Sequence, residues 1–273
     1  MGATVDRRKE LIEAAAPRLE TVPVMLSAIV PAHNEARLIR RTLEALVKAG
    51  AAVGERFART FEIIVADDAS TDATAAIARG LGARVVAVTH RRISSVRNAG
   101  ARAASGEYLV FVDADTIVPP ETLVAAVAAM DSGAVGGGAY TRFDRPIPAW
   151  SRALEPVANW IYRRARLASG CFTFCRREVF EAVGGYDENL VAAEEAALSR
   201  AIRGHGRLVV LQEHVVSSGR KLRTYSAREI LGLIGRLAVR PRSGLRDPEL
   251  WGILYRPRRP DPLAPDGGDR EPA

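Results

Sequence analysis

Asp113 and Asp115 stand one residue apart, directly after the apolar run Tyr108-Leu109-Val110-Phe111-Val112. Side chains two apart on an extended chain point the same way. Both carboxylates can therefore face one point just past the end of a strand. Like charges that close call for a compensating cation or a retained proton, and carboxylates suit the hard, oxygen-seeking ions Mg²⁺ and Mn²⁺. A strand followed by an acidic loop would give the same pattern with no chemistry attached. Other carboxylates recur in comparable settings. Glu35 follows Val30-Pro31-Ala32-His33-Asn34, Asp67-Asp68 follows Glu62-Ile63-Ile64-Val65-Ala66, and Glu194-Glu195 opens a helical pattern. Capping accounts for Asp72, and the helix dipole offers a bland reason for Glu194-Glu195. Neither explains two adjacent aspartates ahead of a turn.

The elements that would position these residues are legible from periodicity. Strands are expected over 24–30, 62–66, 84–88 and 108–112. Helices are expected over 36–49, with Asn34 as N-cap, over 73–79, stopped by Gly80 and Gly82, and over 96–104. This βαβαβαβ order implies a parallel sheet with right-handed crossovers, and in such sheets ligands sit beyond the carboxyl ends of the strands. A helix follows Pro120. The glycine-rich stretch 133–140 lacks the strand-before, helix-after context of a dinucleotide loop and reads as a strand where backbones approach closely. Further on come a helix over 150–166 with a basic end, a strand over 170–174, a short helix over 176–183 and a last strand over 207–211. The basic, small-residue loop 217–223 suits phosphate. Ser226 and Glu229 form a capping box opening an apolar helix with Ile230, Leu231, Leu233, Ile234, Leu237 and Val239. That helix is expected to pack on the core, with a membrane surface as the alternative.

The 273 residues, 48% apolar and 26% charged, describe an ordinary soluble chain with a sizeable core. No apolar run reaches the ~18 residues of a membrane span. The charged first twenty residues lack the apolar core of a secretion signal, so a cytoplasmic location is the default expectation. Cys171 and Cys175, if on one strand, lie about 13 Å apart, beyond the ~7 Å a disulfide allows; they read as buried small residues. Net charge is +7, but residues 200–259 hold 14 Lys or Arg against 4 Asp or Glu, leaving the remainder near −3. That basic third points to phosphates or an anionic membrane surface. Nucleic acid is disfavoured by the sparse aromatics and the absence of any nucleic-acid motif.

Taken in order, AIVPAHNE (28–35), IIVADDAST (63–71), RNAGARAASGEYLVFVDADT (97–116), RREVFEAVGGYDE (176–188) and EEAALSR (194–200) resemble the family 2 glycosyltransferases. The resemblance implies a GT-A fold, an α/β architecture with a Rossmann-like, mostly parallel central sheet flanked by helices. It covers residues 24–223, between an N-terminal helical extension (1–23), a C-terminal amphipathic helical segment (224–258) and a disordered tail (259–273). It implies a nucleoside-diphosphate sugar donor and a divalent metal, Mn²⁺ or Mg²⁺. Pro31, His33 and Glu35 would line the base and ribose pocket, Asp68 would contact the base, Arg97 would approach the nucleotide and Asp113 would take the ribose side. Asp115 would ligate the metal as the last residue of the Asp-x-Asp (DXD) motif. The catalytic base would be Glu195, with Glu194 as second choice. Glu195 stands where aspartate is usual, which leaves open a degenerate binding protein. A nucleotidyltransferase is a further alternative, but residues 31–36 lack its Gly- and Lys-rich loop. Asp68, Asp115 and Glu195 are expected to gather around one cation. The acceptor is unknown, phosphorylated or lipid-linked by the charge argument, with peripheral contact at the inner face of a membrane through the C-terminal basic segment.

Overall fold

The computed structural model describes residues 25–230 together with Gly232, Asp261 and Pro262. The expected N-terminal helix, the apolar C-terminal helix beyond residue 230 and most of the tail lie outside the described residues. The capping box itself is described: the Ser226 amide donates to Glu229 Oε2 at 2.8 Å, and the Glu229 amide donates back to Ser226 Oγ at 3.3 Å.

Eight strands form one sheet: β1 (Leu26–Ala32), β2 (Phe61–Asp68), β3 (Arg84–Val88), β4 (Tyr108–Val112), β5 (Thr116–Ile117), β6 (Ala134–Phe143), β7 (Phe172–Arg176) and β8 (Arg207–Ser217). Their spatial order is β3-β2-β1-β4-β7-β6-β8-β5. The first four, β3-β2-β1-β4, are mutually parallel, and β6 is parallel to β8. β7 runs antiparallel between β4 and β6, and β5 is antiparallel to β8. The helices are α1 (Ile39–Phe57), α2 (Thr74–Gly80), α3 (Ile93–Ala103), α4 (Pro120–Asp131), α5 (Ala149–Ala165), α6 (Arg177–Ala182), α7 (Glu194–Ile202) and the short α8 (Arg220–Thr224).

Helices cover both faces of the sheet, and β4 shows why its sequence is apolar throughout. Tyr108, Val110 and Val112 pack with Leu43 and Leu46 of α1 and Leu123, Val127 and Met130 of α4. Leu109 and Phe111 pack on the other side with Ala101 of α3, Val179 and Phe180 of α6 and Leu198 of α7. A strand buried on both faces loses the polar alternation of a half-exposed one.

Three sequence expectations need correction. Helix α1 starts at Ile39, not 36, because Asn34 adopts a left-handed φ of 51° and the Leu38 and Ile39 amides close a turn on the Glu35 carbonyl. Asn34 is therefore no N-cap. The same helix runs on to Phe57 through Gly50, whose missing side chain makes room for the Phe61 ring. Strand β8 extends to Ser217, past the polar Gln212-Glu213-His214, since Leu211, Val215 and Ser217 keep the buried alternation and β5 pairs with its end.

The glycines of β6 do what the sequence required. A Cβ on Gly137 would run into the Val209 carbonyl oxygen of β8, and one on Gly138 would lie 2.8 Å from Ala168 Cα. Backbone cannot yield as a side-chain tip can. Gly137→Ala is therefore expected to destabilise the fold by roughly 1–3 kcal/mol, the usual range for overpacking, measured as a lower urea midpoint.

Candidate active site

The carboxyl ends of β1, β2 and β3 carry three loops joined by side-chain-to-backbone bonds. Asn34 Oδ1 accepts from the Thr71 amide at 2.8 Å, the Asn34 amide donates to Ser70 Oγ at 3.0 Å, and the Glu35 amide donates to Thr74 Oγ1 at 2.8 Å. Asp72 accepts from the Ala36 amide at 3.0 Å and the Thr74 amide at 2.9 Å, so it ties the first loop to the start of α2, whose N-cap is Ala73 and not Asp72. Asp68, buried, holds the third loop: its two oxygens accept from the His90 and Arg91 amides at 2.7 and 2.8 Å. His33 bridges the same two segments. Arg91 Nη1 lies 2.8 Å from His33 Nε2, and since a guanidinium only donates, the ring proton sits on Nδ1 and is donated to the Asp68 carbonyl at 2.8 Å. Pro31 is buried within β1.

The next part of the rim, beyond β4, is organised by Arg97 of α3. It is 1% exposed, donates to Glu194 Oε1 at 2.7 Å, Asp113 Oδ1 at 2.8 Å and the Gly170 carbonyl at 2.7 Å, and lies over the Tyr186 ring at 5.2 Å. Among the described residues its Nε has no hydrogen-bond partner. Arg97, expected to approach the nucleotide, is thus buried against Asp113. Burial works against its charge, but the flanking carboxylates outweigh this and raise its pKa. Burial also raises the Asp113 pKa, with Arg97 pulling against it. One residue along α3, Asn98 exchanges bonds with the Tyr186 backbone at 2.9 Å each way. Gly185, at φ 76°, leaves the room this needs. The 97–100 and 184–188 motifs meet through that pair.

Glu194 and Glu195 open α7 after Ala193, which takes a left-handed φ of 58°. They separate. Glu194, 5% exposed, turns to Arg97; Glu195 is only partly buried and lies beside Gly170. Burial, reinforced by the Glu194 charge and opposed by Arg97, pushes the Glu195 carboxyl up to about 8. Tyr162 of α5 lies near enough that burial and the same glutamates push its phenol up to about 12.

Sequence reasoning missed how Arg220 joins this rim. Its guanidinium makes a two-pronged bridge to Glu35, at 2.6 and 2.9 Å, and reaches Asp115 Oδ2 at 3.0 Å. The partners are 185 residues apart in the chain, and only the basic character of 217–223 hinted at it. Arg223, counted with Arg220 as phosphate-binding charge, is instead engaged by Asp144 and Asp261 at 2.8 and 2.7 Å. His214 sits within β8 beside Tyr140 of β6.

The expected gathering of Asp68, Asp115 and Glu195 around one cation is not what the fold builds. Among the described residues no three His, Cys, Asp or Glu side chains are placed to cage a metal. Asp68 is turned to loop amides, Asp115 to Arg220 and Glu195 to Gly170. Mg²⁺ and Mn²⁺ held by one or two carboxylates with the remaining ligands from phosphate and water fit such a rim; a metal held by protein alone does not.

Together, the doubly covered sheet and its acidic carboxyl rim define a GT-A α/β protein. The model of the family described as Glycosyl transferase family 2 matches residues 27–184, more than half of the chain, and the chain belongs to that family. A validoxylamine A glucosyltransferase from Streptomyces hygroscopicus is 34% identical over 111 residues, 38% of this chain and 25% of that protein. An undecaprenyl-phosphate 4-deoxy-4-formamido-L-arabinose transferase from Edwardsiella ictaluri is 31% identical over 146 residues, 51% of this chain and 43% of that one. This chain thus spans a quarter to less than half of the length of these relatives. The mannosyltransferase PcManGT of Pyrobaculum calidifontis, solved with GDP-Man and Mn²⁺, superposes with a TM-score of 0.61 at 22% identity, over 86% of this chain and 69% of that one. At that identity the likeness is one of fold.

Removing one partner from a buried charge cluster leaves the rest unpaired, at a typical cost of ~3–5 kcal/mol. Arg97→Met is expected to lower the unfolding free energy by about that much, read from urea titration, whereas Arg220→Gln, nearer the surface, is expected to cost less than half of it.

Proposed function

We propose that the chain transfers a sugar from a nucleoside-diphosphate sugar to an acceptor, with inversion at the anomeric carbon, through a domain spanning residues 24–223. The observation that carries this reading is the ion cluster Asp113–Arg97–Glu194. It fixes the Asp-x-Asp end of β4 against the helix start that presents Glu195, two carboxylate groups with separate tasks. The family membership and a structural neighbour solved with GDP-Man and Mn²⁺ support it.

In this reading Pro31, His33, Glu35 and Asp68 form the base and ribose end of the donor site and Asp113 takes the ribose side. Arg97 acts from below, holding Asp113 in place. Asp115, with the diphosphate, would hold Mn²⁺ or Mg²⁺, which supplies positive charge against the charge developing on the leaving group. Arg220 would exchange part of its bridge to Glu35 and Asp115 for the diphosphate oxygens. Glu195 takes the acceptor hydroxyl proton as the oxygen attacks the anomeric carbon. The bond to the diphosphate breaks from the opposite face, and the diphosphate leaves with the electron pair. A raised pKa suits that role, because a base is most effective when its pKa lies near the working pH. The acceptor is a hydroxyl-bearing molecule that is phosphorylated or lipid-linked, in line with the basic C-terminal third. This accords with a cytoplasmic site at the inner membrane face. Among the described residues no helix is long and apolar enough to cross a membrane.

Two measurements test the reading. A thermal-shift screen of UDP-, GDP- and dTDP-sugars with Mn²⁺ is expected to find a donor that raises the Tm, and Asp115→Ala to abolish that shift. A shift with no sugar transfer or hydrolysis by any donor would instead mark a degenerate binding protein. Glu195 must be deprotonated to act, so turnover is expected to rise with pH through about 8 and level off above it. Glu195→Gln should remove that limb and slow turnover by roughly 10²–10⁴-fold, the usual worth of a general base. A flat profile in the wild type would exclude Glu195 as the base.

A further inference from the structure

Helix α5 is amphipathic the wrong way round for a helix packed on a core. Its body-facing side is polar. Ser151 is buried, Asn159 accepts from the Thr141 amide at 2.9 Å and donates to the Thr141 carbonyl at 2.8 Å, and Glu155 accepts from the Phe143 amide at 3.4 Å. Ser151, Glu155, Asn159 and Tyr162 follow the spacing of one helical face. On the opposite side Leu154, Val157, Trp160 and Ile161 are 45–64% exposed. Among the described residues there are five exposed large hydrophobic side chains, and four of them are these. So strong a concentration on one helix is unlike the scatter of single apolar residues on an ordinary surface.

The charge around this face is of one sign. Arg152, Arg164 and Arg166 are exposed, with Arg164 on the same face as Val157 and Trp160, whereas Arg163 donates to the Tyr140 hydroxyl at 3.0 Å and the helix's one acid, Glu155, faces inward and pairs with Arg145. We propose that the outward face of α5 docks the chain on an anionic membrane surface, with Leu154, Val157, Trp160 and Ile161 in the headgroup–acyl boundary and the arginines among the lipid phosphates. An apolar face carrying tryptophan and rimmed with arginine is the pattern of a helix lying in the interface plane, and each arginine near an anionic leaflet adds attraction. Two other occupants fit the charge less well. A second copy related by a two-fold axis would oppose the same arginines to one another. Residues 231–259 of this chain are themselves basic, with seven Arg against two acids.

The placement has a consequence for the site. Directly after α5 the chain passes through Leu167–Ser169 to Gly170, which lies beside Glu195 and whose carbonyl binds Arg97. A bilayer held against α5 would bear on the segment that leads from the helix to Gly170. The docking itself needs only the helix and stands whether or not the chain transfers sugar.

Flotation of the full chain with vesicles tests it. Wild type is expected to float with phosphatidylcholine vesicles containing phosphatidylglycerol and not with phosphatidylcholine alone. Trp160→Glu/Ile161→Glu, on an exposed face, should keep the wild-type Tm and weaken binding by at least about tenfold. Arg164→Gln should weaken the preference for the anionic lipid. Failure of wild type to float overturns the proposal. So does unchanged flotation of Trp160→Glu/Ile161→Glu, which would assign the binding to the basic C-terminal segment. A concentration-dependent dimer that the same variant dissolves, with vesicles ignored, would assign the face to a second copy and overturn the proposal as well.

Discussion

A single buried guanidinium sets the terms for this structure. Moving an unpaired charge out of water costs several kcal/mol even after relaxation, so Arg97 can sit beneath the sheet rim only if acceptors surround it. Three parts of the chain supply them: Asp113 after β4, the Gly170 carbonyl ahead of β7, and Glu194 at the head of α7. Each is far from the others in sequence. The sheet must therefore place β7 beside β4, antiparallel, to bring residue 170 to the rim, and α7 must begin where Glu194 can turn inward. Among the described residues the Nε has no acceptor, so the satisfied contacts of the cluster run through the two terminal nitrogens.

The rim is unevenly rigid for a related reason. The loops after β1, β2 and β3 are cross-bonded by short side chains, Asn34, Ser70, Asp72 and Thr74, whose few rotatable bonds leave little freedom once bonded. Arg220 and its partners differ. A long guanidinium bridging two carboxylates, partly open to water, can trade one anion for another without loss of its charge state. The stitched loops are thus held fixed, whereas the arginine bridge can rearrange.

How much of this was legible in the sequence depended on distance along the chain. Strands β3 and β4 coincide with their expected bounds because an unbroken apolar run between polar turns has one economical reading. The glycine stretch was readable as a close approach of backbones, though not which carbonyl it meets. Asn34 misled, since the residue type that caps helices also tolerates a left-handed turn, and only the partner loop, 37 residues away, decides between them. Arg97 was identified as a site residue, but its depth was invisible: the sequence shows an arginine at a helix start and cannot show which acids close over it. The Glu35–Arg220 bridge lay furthest from reach, since no local rule links positions so remote.

The division of labour between Glu194 and Glu195 follows from helix geometry. Consecutive residues on a helix point about 100° apart and do not share a face. Once Arg97 claims Glu194, its neighbour must turn elsewhere, and the direction left is toward Gly170 and the open side of the rim. The shared cation is nearer to Glu194, so Glu195 feels burial and a neighbouring negative charge more than it feels the arginine, and holds its proton more tightly. Two identical residues are thus held in different environments, distinguished by which of them reaches the buried arginine.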